Sequence, residues 1–293
     1  MMKRLKESEL ILNPDGSLYH INLRPEHLAR KIILVGDPQR VPMISSFFDK
    51  IQFVFENREI VTHTGTLNKV KITVMSTGMG PDNIDIVMNE LDALVNVDLI
   101  TRRVKEKHTS LDIIRLGTSG ALQADIPVDA FAMSTHGLGI DGLLHFYNHR
   151  YVCDRKMARA FIRQTRWPKI LAEPYVVKGS ASLEAELGEG FIKGVTITAP
   201  GFYGPQGREI RLKTAYPHIN ERISSFRYKD HRIINFEMET SALYAMGKML
   251  GHNTITVCSI LANRVKETYS RKPKEAIKKL TRLVLNRISG AEL

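Results

Sequence analysis

Cysteine is scarce in this sequence. Of 293 residues only Cys153 and Cys258 are cysteines, too few for a disulfide framework. No CxxC or Cys/His grouping has zinc-ligand spacing, so no metal site is expected. Long apolar runs are absent too. The apolar stretches are strand-sized, as in Ile32 to Val35, and none has the length a bilayer demands. Near the start, Lys3, Arg4 and Lys6 are followed by no apolar core, so no secretory leader is expected and a reducing cytoplasm is the expected setting. Low-complexity tracts, internal repeats and Gly/Ser linkers are missing, and 43% apolar with 25% charged residues is an ordinary globular mixture. That excludes disordered and collagen-like chains.

Acidic residues are outnumbered, 31 against 42 basic ones, for a net charge of +11. A nucleic-acid binder gathers its cations into one stripe with aromatics between them. Here they are spread over Arg102 to Lys107, Arg155 to Arg166, Arg208 to Arg232 and Arg264 to Arg287. Most read as solvated helix faces. A small anionic substrate needs only a few arginines, so the excess alone decides nothing.

Short apolar strands, glycine-bearing loops and helical stretches alternate along the chain. Lys31 to Val35 precedes Gly36 to Arg40 (GDPQR), Val70 to Met75 precedes Ser76 to Gly80 (STGMG), and Leu111 to Leu116 precedes Gly117 to Gly120 (GTSG). Ala130 to Ser134, Gly194 to Thr198 and Thr254 to Leu261 read as further strands. This alternation predicts an α/β fold with a central sheet covered on both faces. A single domain over 1–293 is expected, with Gly137 to Trp167 as an excursion. The last helix starts near Pro273 and puts Ile277, Leu280, Leu283, Val284 and Ile288 on one face.

Three constellations carry chemistry. Glycines at the carboxyl ends of strands let backbone N–H groups approach an anion. Two of these loops have an arginine beside them, Arg40 and Arg115, whose planar fork suits phosphate. None fits a P-loop or a dinucleotide fingerprint, which favours a small phosphate over a nucleotide; the plain alternative is that each is only a turn. Next, Glu237 and Glu239 sit two apart at an inferred strand-to-helix junction. They are either an acidic first turn favoured by the helix dipole or acceptors for a polyol such as a sugar diol, with Met238 against the ring. Last, Gln206 and Arg208 are separated by one residue in a Gly/Pro-rich loop. They are either part of a solvated loop or a donor–acceptor pair for an imide edge like that of uracil, with Phe202 to stack on it.

Taken together, these pieces resemble the nucleoside phosphorylase-I family, and within it the uridine-specific branch. The matching segments, in order, are Tyr19–Leu23, Gly36–Arg40, Asn57–Glu59, Ser76–Gly80, Arg115–Gly120, Asp141–Phe146, Phe202–Arg208, Asn235–Glu239 and Ala262–Arg264. The resemblance implies a mixed, twisted sheet, partly closed into a barrel and flanked by helices. It implies phosphorolysis of uridine without metal or organic cofactor, phosphate being a co-substrate. Gly36, Arg40, Arg115 and Thr118 would hold phosphate, with Arg58 entering from a neighbouring subunit. Met238 and Glu239 would hold the ribose, and His20 of a partner its 5′-hydroxyl. Phe202, Gln206 and Arg208 would bind uracil, supported by Arg264. Arg115, Arg208 and Glu239 would carry catalysis. Sites shared in this way imply a homodimer as minimal unit, with hexamers as a larger family assembly, and neither nucleic acid nor membrane as partner. A monovalent cation between subunits would lie near Glu59.

The sequence departs from the family pattern in places. The second loop, Gly78-Met79-Gly80-Pro81, lacks a glycine of the common bacterial form, and the 96–110 segment carries a surface insertion at Arg102 to His108. Purine-cleaving relatives have an aspartate after the late strand, where Asn263 stands here, and an amide cannot protonate a base. The weighed rivals are a hydrolytic nucleosidase and a non-catalytic nucleoside or RNA binder.

Overall fold

The structure, a computed structural model, describes residues 4–293. In chain order it runs β1 (Lys31–Val35), α1 (Arg40–Ser45), β2 (Lys50–Asn57), β3 (Ile60–Leu67), β4 (Val70–Ser76), α2 (Pro81–Asn96), β5 (Val97–Asp98) and β6 (Arg103–Val104). There follow β7 (Asp112–Ala121), β8 (Phe131–Gly139), α3 (Arg155–Thr165), β9 (Tyr175–Lys178), α4 (Ala181–Leu187), β10 (Ile192–Thr198) and α5 (Ile219–Ser225). The chain ends with β11 (Arg227–Tyr228), β12 (His231–Glu237), α6 (Thr240–Leu250), β13 (Asn253–Asn263), β14 (Thr268–Tyr269) and α7 (Pro273–Ser289).

The main sheet is mixed, in the order β11-β12-β10-β8-β13-β7-β1-β4-β3-β2. β12 also pairs with β7, antiparallel, through Asn235–Ala121 and Phe236–Gly120. The ring β12-β10-β8-β13-β7 therefore closes into a five-stranded barrel, with the other strands fanning out beyond β7. Parallel pairs join β1 to β4 and β7, β7 to β13, and β10 to β8 and β12. The carboxyl ends of β1, β4 and β7 thus rise on the same side, where the loops of an α/β sheet collect ligands, and β12, antiparallel to β7, brings its last residues beside Gly120 near the end of β7.

Two expected loops are strand instead. Gly117 to Gly120 continues β7, with Gly117 opposite Cys258 and Ser119 opposite Ile260 on β13. Gly117 serves close approach rather than a turn, since a Cβ there would lie 2.2 Å from Arg115 Nη1. Gly137 to Gly139, assigned to an excursion by the sequence, completes β8. A Cβ on Gly137 would meet the Ser241 backbone at 2.7 Å, and one on Gly139 the Tyr175 ring at 2.2 Å. The hairpin strands β2 and β3 were not foreseen. The β3–β4 turn uses Asn68 and Lys69, both at positive φ, so it closes without the glycine that usually signals it.

Two further expectations hold. Arg103 to His108 is an exposed surface segment. On α7, Leu280, Val284 and Ile288 are buried while Lys278 and Arg282 stay exposed over the Phe47 ring. Leu280 is 1% exposed. Its replacement by alanine is expected to cost about 2–5 kcal/mol in chemical denaturation; a loss under 1 kcal/mol would mean that α7 packs only loosely on the sheet.

Candidate active site

The strand ends open into a cleft of about 640 Å³ whose wall includes Gly36, Arg40, Arg115, Thr118, Phe202, Gln206, Arg208, Met238 and Glu239. These nine residues come from four distant parts of the sequence, and the ends of β1, β7 and β12 deliver most of them.

Arg115 is the centre of the anionic end. It points in from β7 and is 5% exposed. Its Nη2 donates to Glu239 Oε2 and its Nη1 faces Glu237 Oε2 at 3.7 Å. Burial works against the guanidinium charge, but Glu239 and Glu237 outweigh it and raise its pKa. Nη1 and Nε are nonetheless buried without a hydrogen-bond partner. An unfilled donor in a dry wall is costly, so it marks where an acceptor belongs. Arg40, at the start of α1, lines the same wall. Burial and the nearby Arg115 charge lower its pKa, so two cations face each other across this end. An arriving anion relieves that repulsion.

The middle of the cleft is set by the junction of β12 and α6. Glu239 is the N-cap residue of α6. Its Oε1 accepts the Gly80 N–H at 2.8 Å; Gly80 has φ +104, in the left-handed region that favours glycine. Glu237 also borders the cleft, but its carboxylate is bonded into the helix end. Its carboxylate accepts the N–H of Glu239 at 2.8 Å, that of Thr240 at 2.9 Å and the Thr198 hydroxyl at 2.7 Å. Burial pushes the Glu237 pKa up to about 7, with Arg115 pulling against it and Glu239 adding to the rise.

The far end is a short turn. Gln206 is buried, and its Oε1 accepts from Arg208 Nη1 at 2.6 Å. That bond fixes the amide so that Nε2 remains to donate. The Arg208 guanidinium lies over the Phe202 ring, 3.8 Å from its centroid, and also donates to the Phe202 carbonyl. Burial, then Arg264, presses the Arg208 pKa down to about 10, so the group stays charged at neutral pH. The turn is tied down from behind. Arg264 Nη2 and Asn220 Nδ2 both donate to the Gln206 carbonyl, at 3.0 and 2.9 Å.

Comparison with known proteins shows the family. The profile described as "Phosphorylase superfamily" matches residues 30–289. The chain belongs to that superfamily. It is 28% identical over 277 residues to a uridine phosphorylase of Thermococcus kodakarensis, covering 92% of this chain and 86% of the relative. To the uridine phosphorylase of Haemophilus influenzae it is 27% identical, covering 91% and 93%. The solved nucleoside phosphorylase of Trypanosoma brucei, described as showing uridine phosphorylase activity, superposes with TM-score 0.87 at 29% identity. That match covers 96% of this chain and all of the other. DeoD-type purine nucleoside phosphorylases are similar as well; that of Oceanobacillus iheyensis is 24% identical over 242 residues, covering 82% of this chain and 85% of the relative.

Within this superfamily fold three expected site residues stand apart from the cleft. His20 and Arg58 instead line a small neighbouring cavity with Ile60, Thr77 and Asn83, and Glu59 borders both spaces. His20 Nδ1 is held by Glu90 at 2.6 Å, and Arg58 leans on the Tyr19 ring. Arg264 touches the back of the Gln206 turn and does not line the cleft. Asn263 is fully engaged elsewhere. Its amide donates to the Gln123 and Ile126 carbonyls and accepts from the Val265 and Lys266 N–H groups. It is a turn-holding residue and does not line the cleft.

Some cleft residues gave no sequence signal. Met79, Leu261 and Tyr269 line the wall, Met79 from a loop and the others from β13 and β14, and no side-chain chemistry or spacing singles them out. Histidines remote from the cleft serve other ends. Burial lowers the His136 pKa to about 4 and also lowers that of His63, which is bonded to Ser45. His136→Gln and His63→Gln are expected to leave kcat/KM unchanged; a loss in either would reveal an overlooked catalytic group.

Proposed function

We propose that the chain catalyses the reversible phosphorolysis of uridine to uracil and ribose 1-phosphate. What carries this reading is one cleft with three chemically distinct parts: the unpartnered Arg115 donor beside Arg40 and Thr118, the Glu239 carboxylate with Met238, and the Gln206–Arg208 pair over Phe202. The uridine phosphorylases among its relatives support it, and so does the engaged state of Asn263, which leaves no acid at that position for purine chemistry.

The chemistry follows from the placement. Glu239 accepts hydrogen bonds from the ribose hydroxyls, and Met238 packs on the sugar. The glycosidic bond stretches first, the ribose becomes oxocarbenium-like, and negative charge gathers on the leaving uracil. Arg208 and the Gln206 Nε2 donor face that charge, an electrostatic stabilisation that is strong because the donors are preorganised. Phosphate, held by Arg40, Arg115 and Thr118, stabilises the cationic sugar and captures C1′. Binding both reactants in one cleft lowers the barrier by up to roughly 7–11 kcal/mol relative to a free encounter.

His20 and Arg58 complete the cleft of a second copy, His20 at the ribose 5′-hydroxyl and Arg58 at phosphate, so the active unit is a homodimer. No organic cofactor takes part. Glu59 is the single carboxylate of the small cavity beside them, so a monovalent cation held there would need further oxygen ligands from the partner. No helix among the described residues is long and apolar enough to cross a membrane, and the two cysteines are free, in keeping with a cytoplasmic enzyme.

The deciding assay is uracil release from uridine with and without phosphate, with inosine in parallel. Phosphate-dependent release from uridine alone is expected. Release without phosphate would make the enzyme a nucleosidase, and preferential cleavage of inosine would move it to the purine branch.

A further inference from the structure

Glu237 is a buried carboxylate that the proposed reaction leaves without a task. It lies at the end of β12, between two residues that matter, and its side chain is 2% exposed. Three protein donors hold it. Oε1 takes the Thr198 hydroxyl at 2.7 Å and Oε2 the N–H of Glu239 at 2.8 Å, while the single Thr240 N–H is shared between them at 3.1 and 2.9 Å. A carboxylate so held is oriented by the helix end rather than by a substrate hydroxyl. It closes the N-terminus of α6, whose first N–H groups have no partner within the helix, and Thr198 extends the closure by accepting the Ser241 N–H at 2.8 Å. The residue whose amide it holds is Glu239 itself.

The second link is electrostatic. Arg115 lies between the two carboxylates, paired with Glu239 and 3.7 Å from Glu237. Glu237 therefore subtracts from the positive field that Arg115 and Arg40 present to an anion, and it does so from the protein side of the cleft.

We propose that Glu237 is the positioning residue of this site: through the Glu239 amide it fixes the ribose-facing carboxylate, and through Arg115 its charge weakens the grip on phosphate. The second effect suits a reversible reaction, since phosphate and the phosphate ester must both leave. The inference rests on the phosphorolysis reading above.

Two variants separate the effects. Glu237→Gln keeps the shape. Its Oε1 can face the Glu239 and Thr240 amides while its Nε2 donates to Thr198 Oγ1, which has a lone pair to spare. The charge is lost, together with the acceptor of the Thr198 hydroxyl proton, and at pH 8 the KM for phosphate is expected to fall about 3- to 10-fold, the scale of one charge acting across the wall of a site. Glu237→Ala loses the closure as well, so Glu239 shifts. The kcat/KM for uridine is expected to fall about 100-fold, the cost of a misplacement near 1 Å. 2′-Deoxyuridine, with one hydroxyl fewer for Glu239, should lose much less. An unchanged or higher phosphate KM in the glutamine variant, or equal losses on both nucleosides in the alanine variant, overturns the proposal. An unmutated enzyme that releases no uracil would instead sink the reading on which it rests.

Discussion

Arg115→Ala is expected to lower kcat/KM for uridine by about 10³-fold, the upper end of the range seen when a preorganised donor is removed from an active site. The structure gives two reasons. Arg115 is the cation with unpartnered donors at the anionic end, so phosphate loses its main contact. It is also the partner of two buried carboxylates, Glu237 and Glu239, which its loss leaves uncompensated. Breaking a buried ion pair from one side destabilises by about 3–5 kcal/mol, so a fall in thermal midpoint should accompany the loss of activity. Arg115→Lys distinguishes the two. It retains the buried charge and most of the stability, but replaces a planar fork with a point charge that cannot serve Glu239 and phosphate at once. Its activity should still fall about 100-fold. A lysine variant of near-normal activity would mean that the site asks only for positive charge at this position.

The parts of the site that were legible in the sequence are those in which chemistry and backbone demand coincide. Gly36 to Arg40 combines a strand end, a glycine and an arginine, and Asn235 to Glu239 marks a strand-to-helix junction by its acids; both lie where they were expected. The strands β7 and β8 were read too short for a related reason. Glycines within a strand look like turns in a linear pattern, whereas here Gly117, Gly137 and Gly139 admit a guanidinium, a helix start and a tyrosine ring. β2 and β3 escaped because most of β2 is solvent-facing or half-buried and their turns lack glycine. What a single sequence could not separate was the pair Glu237 and Glu239. The two residues divide: Glu237 caps the helix, as the first alternative has it, and Glu239 lines the cleft, where the second would need it. The split follows from the sharp backbone change after β12, which a residue count does not show.

Closure of the barrel explains why this division of labour is stable. The β12–β7 pairing joins the strand that ends in Glu237 to the strand that carries Arg115, so the carboxylates and the guanidinium are held by one hydrogen-bonded ring. The end of the cleft built by Phe202 to Arg208 has no such support. Phe202, Gln206 and Arg208 sit in a turn after β10 that relies on Arg264 and Asn220 behind it, which is where substrate preference can change without disturbing the phosphate end.

Arg208→Ala tests that end. Its kcat/KM for uridine is expected to fall about 10²- to 10³-fold, as for removal of one donor that stabilises a developing anion. Most of the fall should appear in kcat, because the charge on uracil exists only as the bond breaks and an interaction made only then does not strengthen ground-state binding. A second consequence is local. Without Arg208 the Gln206 Oε1 loses its partner at 2.6 Å and the Phe202 ring loses the cation above it. The amide is then free to turn, and the KM for uridine should rise modestly. Stability should fall less than in Arg115→Ala, since Arg208 leaves no buried acid unpaired, only the Gln206 Oε1 acceptor. A variant with raised KM and intact kcat would show that Arg208 only binds uracil and that the leaving-group charge is met elsewhere. A variant of normal kcat/KM would remove the uracil assignment from this turn and, with it, the strongest geometric argument for a pyrimidine substrate.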